Sequence, residues 1–149
     1  MLDRSDQGHM PATPDQERLD ALGLDAEPAL VRRMEQSRDC IKLLQSDGTI
    51  EYMSHNGLCA MEIDDLSVVL GKVWWTLWPE EVRETLKQAV SAACTGRMAN
   101  FVADCPTAKG HPRRWDVTVT GLVGARGAVE EILAVSTQTE DRARPLRVI

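Results

Sequence analysis

Residues 80–95 carry the clearest helical pattern in this 149-residue chain. Glu80 and Glu81 favour the positive N-terminal end of a helix dipole, and Gly96 follows the segment as a stop signal. The apolar positions recur at helical spacing, at Val82, Leu86, Ala89, Val90 and Ala93. Because this stripe covers only one side of the helix, the helix needs a flat apolar surface to pack on.

Five strand-like segments lie on either side of this helix. They cover residues 40–45, 49–53, 99–104, 115–122 and 131–137. The first two flank Asp47-Gly48, a pair that supplies the positive dihedral angles of a tight hairpin turn. Strands joined by tight turns predict an antiparallel sheet, and the helical excursion after the second strand must then cross one face of it. We therefore predict an α+β fold, with short helices over residues 56–70 and one longer helix on the sheet.

A second helix is predicted upstream of the sheet. Pro28 suits the first turn of a helix that continues to about Ser37. Its apolar stripe consists of Leu30, Val31 and Met34. Residues 1–25 are rich in Asp, Pro and Gln and favour a mobile acidic leader. The predicted organisation is this leader, one domain over residues 26–142 that includes the N-terminal helix, and a C-terminal tail over 143–149.

Charge and composition exclude several classes of protein. Seventeen basic residues against 23 acidic ones give a net charge of -6, which disfavours a surface that follows nucleic-acid phosphates. No apolar run is long enough for a membrane span. The four cysteines form no CxxC pair, so they indicate neither a zinc site nor a dense disulfide framework. Scattered cysteines without a signal peptide favour a reduced, cytoplasmic protein.

Four short runs, taken together and in order, resemble a PAS domain. They are Asp39–Leu44 leading into Asp47-Gly48, then Met61–Asp65, Gly71–Pro79 and Cys105–Gly110. The resemblance extends over residues 37–142 and is similar to a proteobacterial subgroup often fused to histidine kinases. It implies a five-stranded antiparallel sheet in the order 2-1-5-4-3, capped by the N-terminal helix. The chain departs from the family pattern at Ser54, where Asn is common, and at Gln138–Glu140, where an Asp-Ile-Thr type motif is common.

The resemblance also implies a function. PAS domains act as sensory or regulatory modules in bacterial signal transduction, including two-component systems, and sense a small ligand or mediate protein–protein contacts. We accordingly expect a homodimer, with a histidine kinase or another signalling protein as the candidate partner. Leu30, Val31 and Met34 are the candidate dimer interface, because the helix that precedes this fold either packs on the outer face of the sheet or pairs two subunits.

A PAS domain that carries haem or flavin, as a redox or light receptor, is the alternative. Haem-binding members place a His on or near the long helix, and residues 80–95 contain none. Flavin-bonding members carry an Asn-Cys-Arg-Phe-Leu-Gln style run, whereas Cys59 is flanked by Leu58 and Ala60. Stacking aromatics remain available for a flavin held without a covalent bond. The cofactor is therefore left open, and a domain without a cofactor is favoured.

An enzyme is not expected. The carboxylate pairs Asp64-Asp65 and Glu80-Glu81 are sequence neighbours, which do not face each other on a helix. Cys105 and His111 lie on either side of a segment that turn residues already explain. No arrangement of nucleophile and base stands out beyond these.

The gap between sheet and helices is the natural place for a pocket. Strand alternation puts Lys42 on the same face as Cys40 and Leu44, opposite Ile41 and Leu43. Its ammonium can meet an anionic ligand there, or its stem can pack while the charge reaches solvent. The candidate pocket residues are Lys42, Leu44, Tyr52, Trp74, Trp78, Val90, Phe101, Trp115 and Val119.

Overall fold

A computed structural model describes residues 14–149 as four α-helices and a six-stranded antiparallel sheet. The helices are α1 (Pro14–Ala21), α2 (Pro28–Gln36), α3 (His55–Ala60) and α4 (Arg83–Cys94). The strands are β1 (Cys40–Leu44), β2 (Ile50–Met53), β3 (Ala99–Asp104), β4 (Arg114–Val123), β5 (Val129–Gln138) and β6 (Arg144–Val148). Short 3₁₀ turns at Leu66–Val68, Trp74–Leu77 and Glu80–Val82 fill the segment between α3 and α4.

The strand order is β2-β1-β5-β4-β3-β6. The predicted order of the first five strands is therefore confirmed, and β6 adds a sixth at the edge. Residues 143–149 were expected to be a tail, but Arg144–Val148 pair antiparallel with β3. The Arg144 guanidinium donates to Asn100 Oδ1 at 3.0 Å and helps to hold the new edge. Pro145 fits this position because an edge strand can leave one N–H unpaired.

The inner face of the sheet carries the main core and the helix α4. Leu86, Ala89, Val90 and Ala93 are all buried, as the helical stripe predicted. Helix α4 lies close to β4 at Gly121, where an added Cβ would come within 2.5 Å of the Ala93 carbonyl oxygen. The predicted helix over residues 80–95 is slightly shorter than expected, because a 3₁₀ turn at Glu80–Val82 precedes it.

The outer face of the sheet is covered by α1 and α2. Leu19 of α1 and both Val31 and Met34 of α2 pack in one cluster, together with Ile41, Leu43 and Tyr52 of the sheet. Part of the predicted mobile leader is therefore ordered, since residues 14–21 form a helix and Leu19 is 1% exposed. The rest of that prediction, residues 1–13, lies outside the described residues.

Ser54 and Asn56 tie α3 to the strands and to α2. The buried Ser54 hydroxyl accepts from the backbone N–H of Gly57 at 3.2 Å, which caps α3, and from that of Ile41 at 3.1 Å. The Asn56 amide donates to the carbonyls of Met34 and Ser37 at the end of α2. Ser54, at the position where this chain departs from the family pattern, thus links the start of α3 to strand β1.

Candidate functional site

A cavity of about 270 Å³ lies between the inner face of the sheet and the segment from α3 to α4. Its walls come from β1, β2, β4, β5, the short turns and the loop that follows β3. The lining residues are Cys40, Lys42, Met53, Met61, Ile63, Val68, Val69, Trp74, Leu77, Trp78, Cys105, Pro106, Thr107, Ala108, Trp115 and Ser136. Most of them are apolar, and Lys42 is the one charged residue among them.

Three tryptophans form rigid walls of the cavity. Trp74 and Trp78 meet edge to face, with ring centroids 6.3 Å apart and an interplanar angle of 84°. Trp115 comes from the facing strand and donates its indole N–H to the Cys105 carbonyl at 3.0 Å. Phe101 backs Trp78 with a centroid distance of 5.9 Å. These contacts fix the ring orientations and give the cavity a defined shape.

Lys42 ends inside the cavity. Its side chain is buried, and Nζ donates to Cys40 O at 3.3 Å, to Cys40 Sγ at 3.1 Å and to Ser136 Oγ at 3.2 Å. The same Nζ lies 5.8 Å from the centroid of the Trp74 ring. Among residues 14–149, no carboxylate lies within 4.0 Å of it. The sequence left open whether the Lys42 ammonium lies in the pocket or reaches solvent, and the structure places it in the pocket.

The Cys105 thiol of the cavity is held in its neutral form. Cys105 is buried, and burial is the main cause that raises the pKa of its thiol to about 11, although the nearby Lys42 charge acts in the opposite direction. A thiol with this pKa is protonated near neutral pH and is a poor nucleophile. His111 does not activate it, because His111 Nδ1 lies 2.5 Å from Glu62 Oε1 instead.

Two segments meet at the mouth of the cavity. The Ala108 N–H donates to the Met61 carbonyl at 2.9 Å, and Glu62 accepts hydrogen bonds from Thr107 and His111. These bonds, with Thr107 the larger cause, hold the pKa of Glu62 below its usual value. Glu62 also adopts a left-handed backbone with φ of 58°, which is uncommon for a residue other than glycine.

The rim beside these bonds is apolar and open. Val68 is 58% exposed and Leu77 is 39% exposed, and both also line the cavity. Large apolar side chains with this exposure are few in the described part of the chain. Val68 and Leu77 therefore expose apolar surface at the edge of the cavity.

Four of the nine predicted pocket residues line the cavity, and four others support it from behind. Lys42, Trp74, Trp78 and Trp115 belong to the lining. Leu44, Val90, Phe101 and Val119 are buried in the same core cluster but do not reach the cavity.

Tyr52 differs from the prediction and lies on the opposite side of the sheet. Its ring belongs to the outer cluster, and its hydroxyl donates to Asp15 Oδ1 at 2.5 Å. The reason is a register shift between Leu43 and Leu44 in the β1–β2 pairing, where simple alternation fails. Met53 consequently faces the cavity in its place.

Several lining residues were missed by the sequence reasoning. Ser136 had a usable signal, because it follows Ile132 and Ala134 at strand spacing and these three share the inner side. Cys40 lies two residues before Lys42 on β1 and faces the same side, so it could have been predicted as a pocket residue for the same reason. The loop residues Met61, Val68 and Pro106 offered no periodic signal.

The predicted dimer stripe is occupied within the chain. Val31 is 5% exposed and Met34 is fully buried, because both pack on the outer face of the sheet. Leu30 alone of the three remains half-buried. Val31 and Met34 therefore do not form an exposed interface, which corrects the expectation for these two residues.

The described residues offer few side chains that could bind a metal ion or a haem iron. No group of three or more His, Cys, Asp and Glu side chains within residues 14–149 is arranged to hold a metal ion. His55 and His111 both lie outside the cavity lining, so they offer no imidazole to a haem iron placed there. His9 lies outside the described residues. In the same part of the chain, no helix has the length and hydrophobicity needed to cross a bilayer.

Two solved PAS domains share this fold at low sequence identity. The PAS domain of an HTR-like protein from Haloarcula marismortui is 22% identical, with a TM-score of 0.61 over 74% of this chain and 95% of that one. The PAS domain of a protein from Colwellia psychrerythraea is 13% identical, with a TM-score of 0.64 over 76% and 97%.

A longer receptor is also similar. Vibrio cholerae VqmA, solved with bound DPO, is 12% identical with a TM-score of 0.61; the match covers 77% of this chain and 58% of VqmA. The chain therefore spans only a little over half the length of that receptor. A search of curated proteins gave no match. The family model described as PAS fold matches residues 34–144, most of the chain, and with the strand order above it shows that the chain belongs to the PAS fold family.

Proposed function

We propose that this chain is a non-catalytic sensory or regulatory PAS module whose signal is a small molecule bound in the cavity. The observation that carries the proposal is the cavity of about 270 Å³ walled by Trp74, Trp78 and Trp115, into which Lys42 projects. An apolar pocket with a few convergent polar groups is the usual form of a small-molecule site. The neutral thiol of Cys105 and the absence of an activated base beside it, among the described residues, argue against catalysis.

Strand β1 provides a route from the cavity to the N-terminal helices. Cys40 and Lys42 face the cavity, while Ile41 and Leu43 face α1 and α2 on the other side. A ligand that shifts β1 therefore changes the packing of Val31 and Met34 on the outer face. This is how we propose that ligand binding reaches a partner.

A sensory module must pass its signal to another protein, and this role suggests the partners. We propose a cytoplasmic homodimer that acts with a histidine kinase or another signalling protein of a bacterial two-component system. The signalling unit comprises residues 26–142, on which α1 and β6 pack. The contact between subunits must involve exposed residues, such as Leu22 or the half-buried Leu30, since Val31 and Met34 are buried.

A thermal-shift screen tests the ligand site. A compound that binds only the folded state raises the melting temperature by mass action. We expect metabolite-library hits to stabilise the wild-type protein but not Cys105→Leu, which fills part of the cavity. Cys59→Leu is the matched control, because Cys59 is exposed and lies outside the lining. If both variants respond like the wild type, the cavity is not the site.

A spectrum of the purified protein separates this proposal from a coloured receptor. The observation that favours a flavin is the set of aromatic rings in the cavity walls, on which a flavin can stack. A solved light-oxygen-voltage domain, studied with a flavin analogue, is 19% identical with a TM-score of 0.63 over 77% of this chain and 87% of that one. Likeness at this identity concerns the fold alone. Visible absorption typical of flavin or haem would establish the alternative, and a colourless protein would favour an uncoloured ligand.

A further inference from the structure

We propose that the ligand of the cavity is an organic monocarboxylate with an apolar body, and that Lys42 binds its carboxylate. This inference rests on the proposed function, because it names the chemical class of the molecule in the same cavity. It follows from three properties of the lining: an uncompensated cation, a hydroxyl beside it, and apolar walls of limited volume.

The first property is the missing counter-charge. Lys42 is 3% exposed, and the three groups that accept hydrogen bonds from Nζ are all uncharged. No acidic residue belongs to the described lining. A buried ammonium without a paired anion is costly, and neutral acceptors offset that cost only in part. A ligand carboxylate would supply the absent charge and form a strong charge-assisted hydrogen bond.

The second property is the donor beside the ammonium. Ser136 Oγ accepts from Lys42 at 3.2 Å, which leaves the hydroxyl proton free to be donated to a ligand oxygen. The indole N–H of Trp115 is not available for this, because it already donates to the Cys105 carbonyl. The three N–H groups of Lys42 already donate to Cys40 O, Cys40 Sγ and Ser136 Oγ, so carboxylate binding requires Nζ to exchange its weak bond to the Cys40 sulfur for one to the ligand. With that exchange, Lys42 and Ser136 form a two-donor site for the two oxygens of one carboxylate.

The third property, apolar walls of limited volume, determines the size and polarity of the rest of the ligand. A volume of about 270 Å³ corresponds to about nine water molecules at about 30 Å³ each, so a ligand of roughly ten non-hydrogen atoms fits. With one cation in the described lining, a second carboxylate would be buried unpaired. Trp74 and Trp78 favour an apolar body, which can extend towards the exposed rim at Val68 and Leu77.

Calorimetry with matched probes tests the ligand class. Octanoate and phenylacetate are compared with octanamide and phenylacetamide, which have the same shape without the charge, and with the dicarboxylate suberate. We expect the two acids to bind the wild-type protein at least tenfold more tightly than their amides and than suberate. This comparison uses the unmodified chain and does not depend on a variant that folds.

Lys42→Met then assigns the effect to the ammonium, since methionine retains an unbranched side chain without the charge. We expect the variant to lose at least tenfold in affinity for the acids while the amides bind as before. Lys72→Met is the control, because Lys72 is exposed and lies outside the lining. Its affinities should match those of the wild type.

The outcomes separate the inference from the proposed function. Equal affinity for acids and amides, unchanged acid binding in Lys42→Met, or the absence of any acid binding to the wild type would overturn the monocarboxylate assignment. In each case, library compounds that stabilise the wild type but not Cys105→Leu would still support a ligand site. If no library compound does so either, the proposed function fails as well.

Discussion

At the scale of single residues, Lys42 and Tyr52 show how far strand alternation can be trusted. Lys42 lies on the predicted side with Cys40, because the β1–β5 pairing is regular. Tyr52 lies on the other side, because the β1–β2 pairing contains a register shift that the sequence does not reveal. The Lys42 ammonium donates to Cys40, two residues away, and also to Ser136, which is distant in the sequence.

The tryptophan walls lead to a stability prediction. Trp115 is 1% exposed, so Trp115→Ala should lower the free energy of unfolding by about 3–5 kcal/mol in urea denaturation. Trp75→Ala is the control, because Trp75 is only partly buried against the core, and its loss should be smaller. A loss below about 1 kcal/mol for Trp115→Ala would mean that this wall does not carry the packing described.

Glu131 predicts a pH dependence of stability. Burial is the largest cause that raises its pKa to about 8, followed by a hydrogen bond and charge repulsion from Glu51. Because the folded-state pKa is the higher one, the folded state keeps the proton longer, and stability should fall as pH rises from about 4.5 to about 8. In Glu131→Gln this decline should be weaker in urea denaturation at pH 5 and pH 8. Identical slopes for the variant and the wild type would contradict the assignment.

At the scale of elements, the sequence predicted what local patterns define and missed what depends on distant contacts. Helix α4 was predicted because its apolar positions recur at helical spacing, and strands β1 to β5 were predicted as short strand-like segments separated by turn residues or by the helix. Strand β6 and helix α1 were not, because their stability comes from the β3 edge and from the outer face of the sheet. The cavity rim is formed by loop residues without a period.

The buried carboxylate of Asp15 ties helix α1 to β2 and α3. Asp15 Oδ1 accepts from the Tyr52 hydroxyl at 2.5 Å and from the His55 backbone N–H at 2.8 Å. Asp15→Ala would leave the buried hydroxyl without the acceptor of its proton and should cost about 1–3 kcal/mol of stability by chemical denaturation. Glu17→Ala removes an exposed carboxylate from the same helix and should change stability much less. Equal effects would show that α1 is not docked through Asp15.

The bonds across the cavity mouth predict a local change in hydrogen exchange. Glu62→Ala removes the acceptor of Thr107 and His111, so the loop after β3 should open more often. The amides of Ala108 and His111 should then exchange faster, while those of β4 remain protected. Unchanged exchange in the loop would contradict a role of Glu62 in holding this loop in place.

At the scale of the whole molecule, the fold was more predictable than its assembly. The motif series led to the PAS fold, and the family match over residues 34–144 confirms it. The sequence left open whether α2 packs on the outer face of the sheet or pairs two subunits, and this choice decides which residues remain for a partner. Val31 and Met34 are used within the chain.

The homodimer is tested by light scattering at high protein concentration. We expect twice the mass of the chain for the wild type and a smaller mass for Leu30→Glu, which places a charge on the half-buried edge of α2. Met34→Glu is unsuitable, because a charge at a fully buried position would unfold the protein. A monomeric mass for the wild type would remove the dimer from the proposal.

The most direct test of the account is to follow the four tryptophan indole N–H signals by NMR while the library compound that stabilises the wild type most strongly is added. Trp74, Trp78 and Trp115 line the cavity, and Trp75 lies outside its lining. If the cavity is the sensory site, the signals of the first three residues shift on binding and that of Trp75 stays in place. Shifts confined to Trp75, or none in the three cavity signals, would contradict the account.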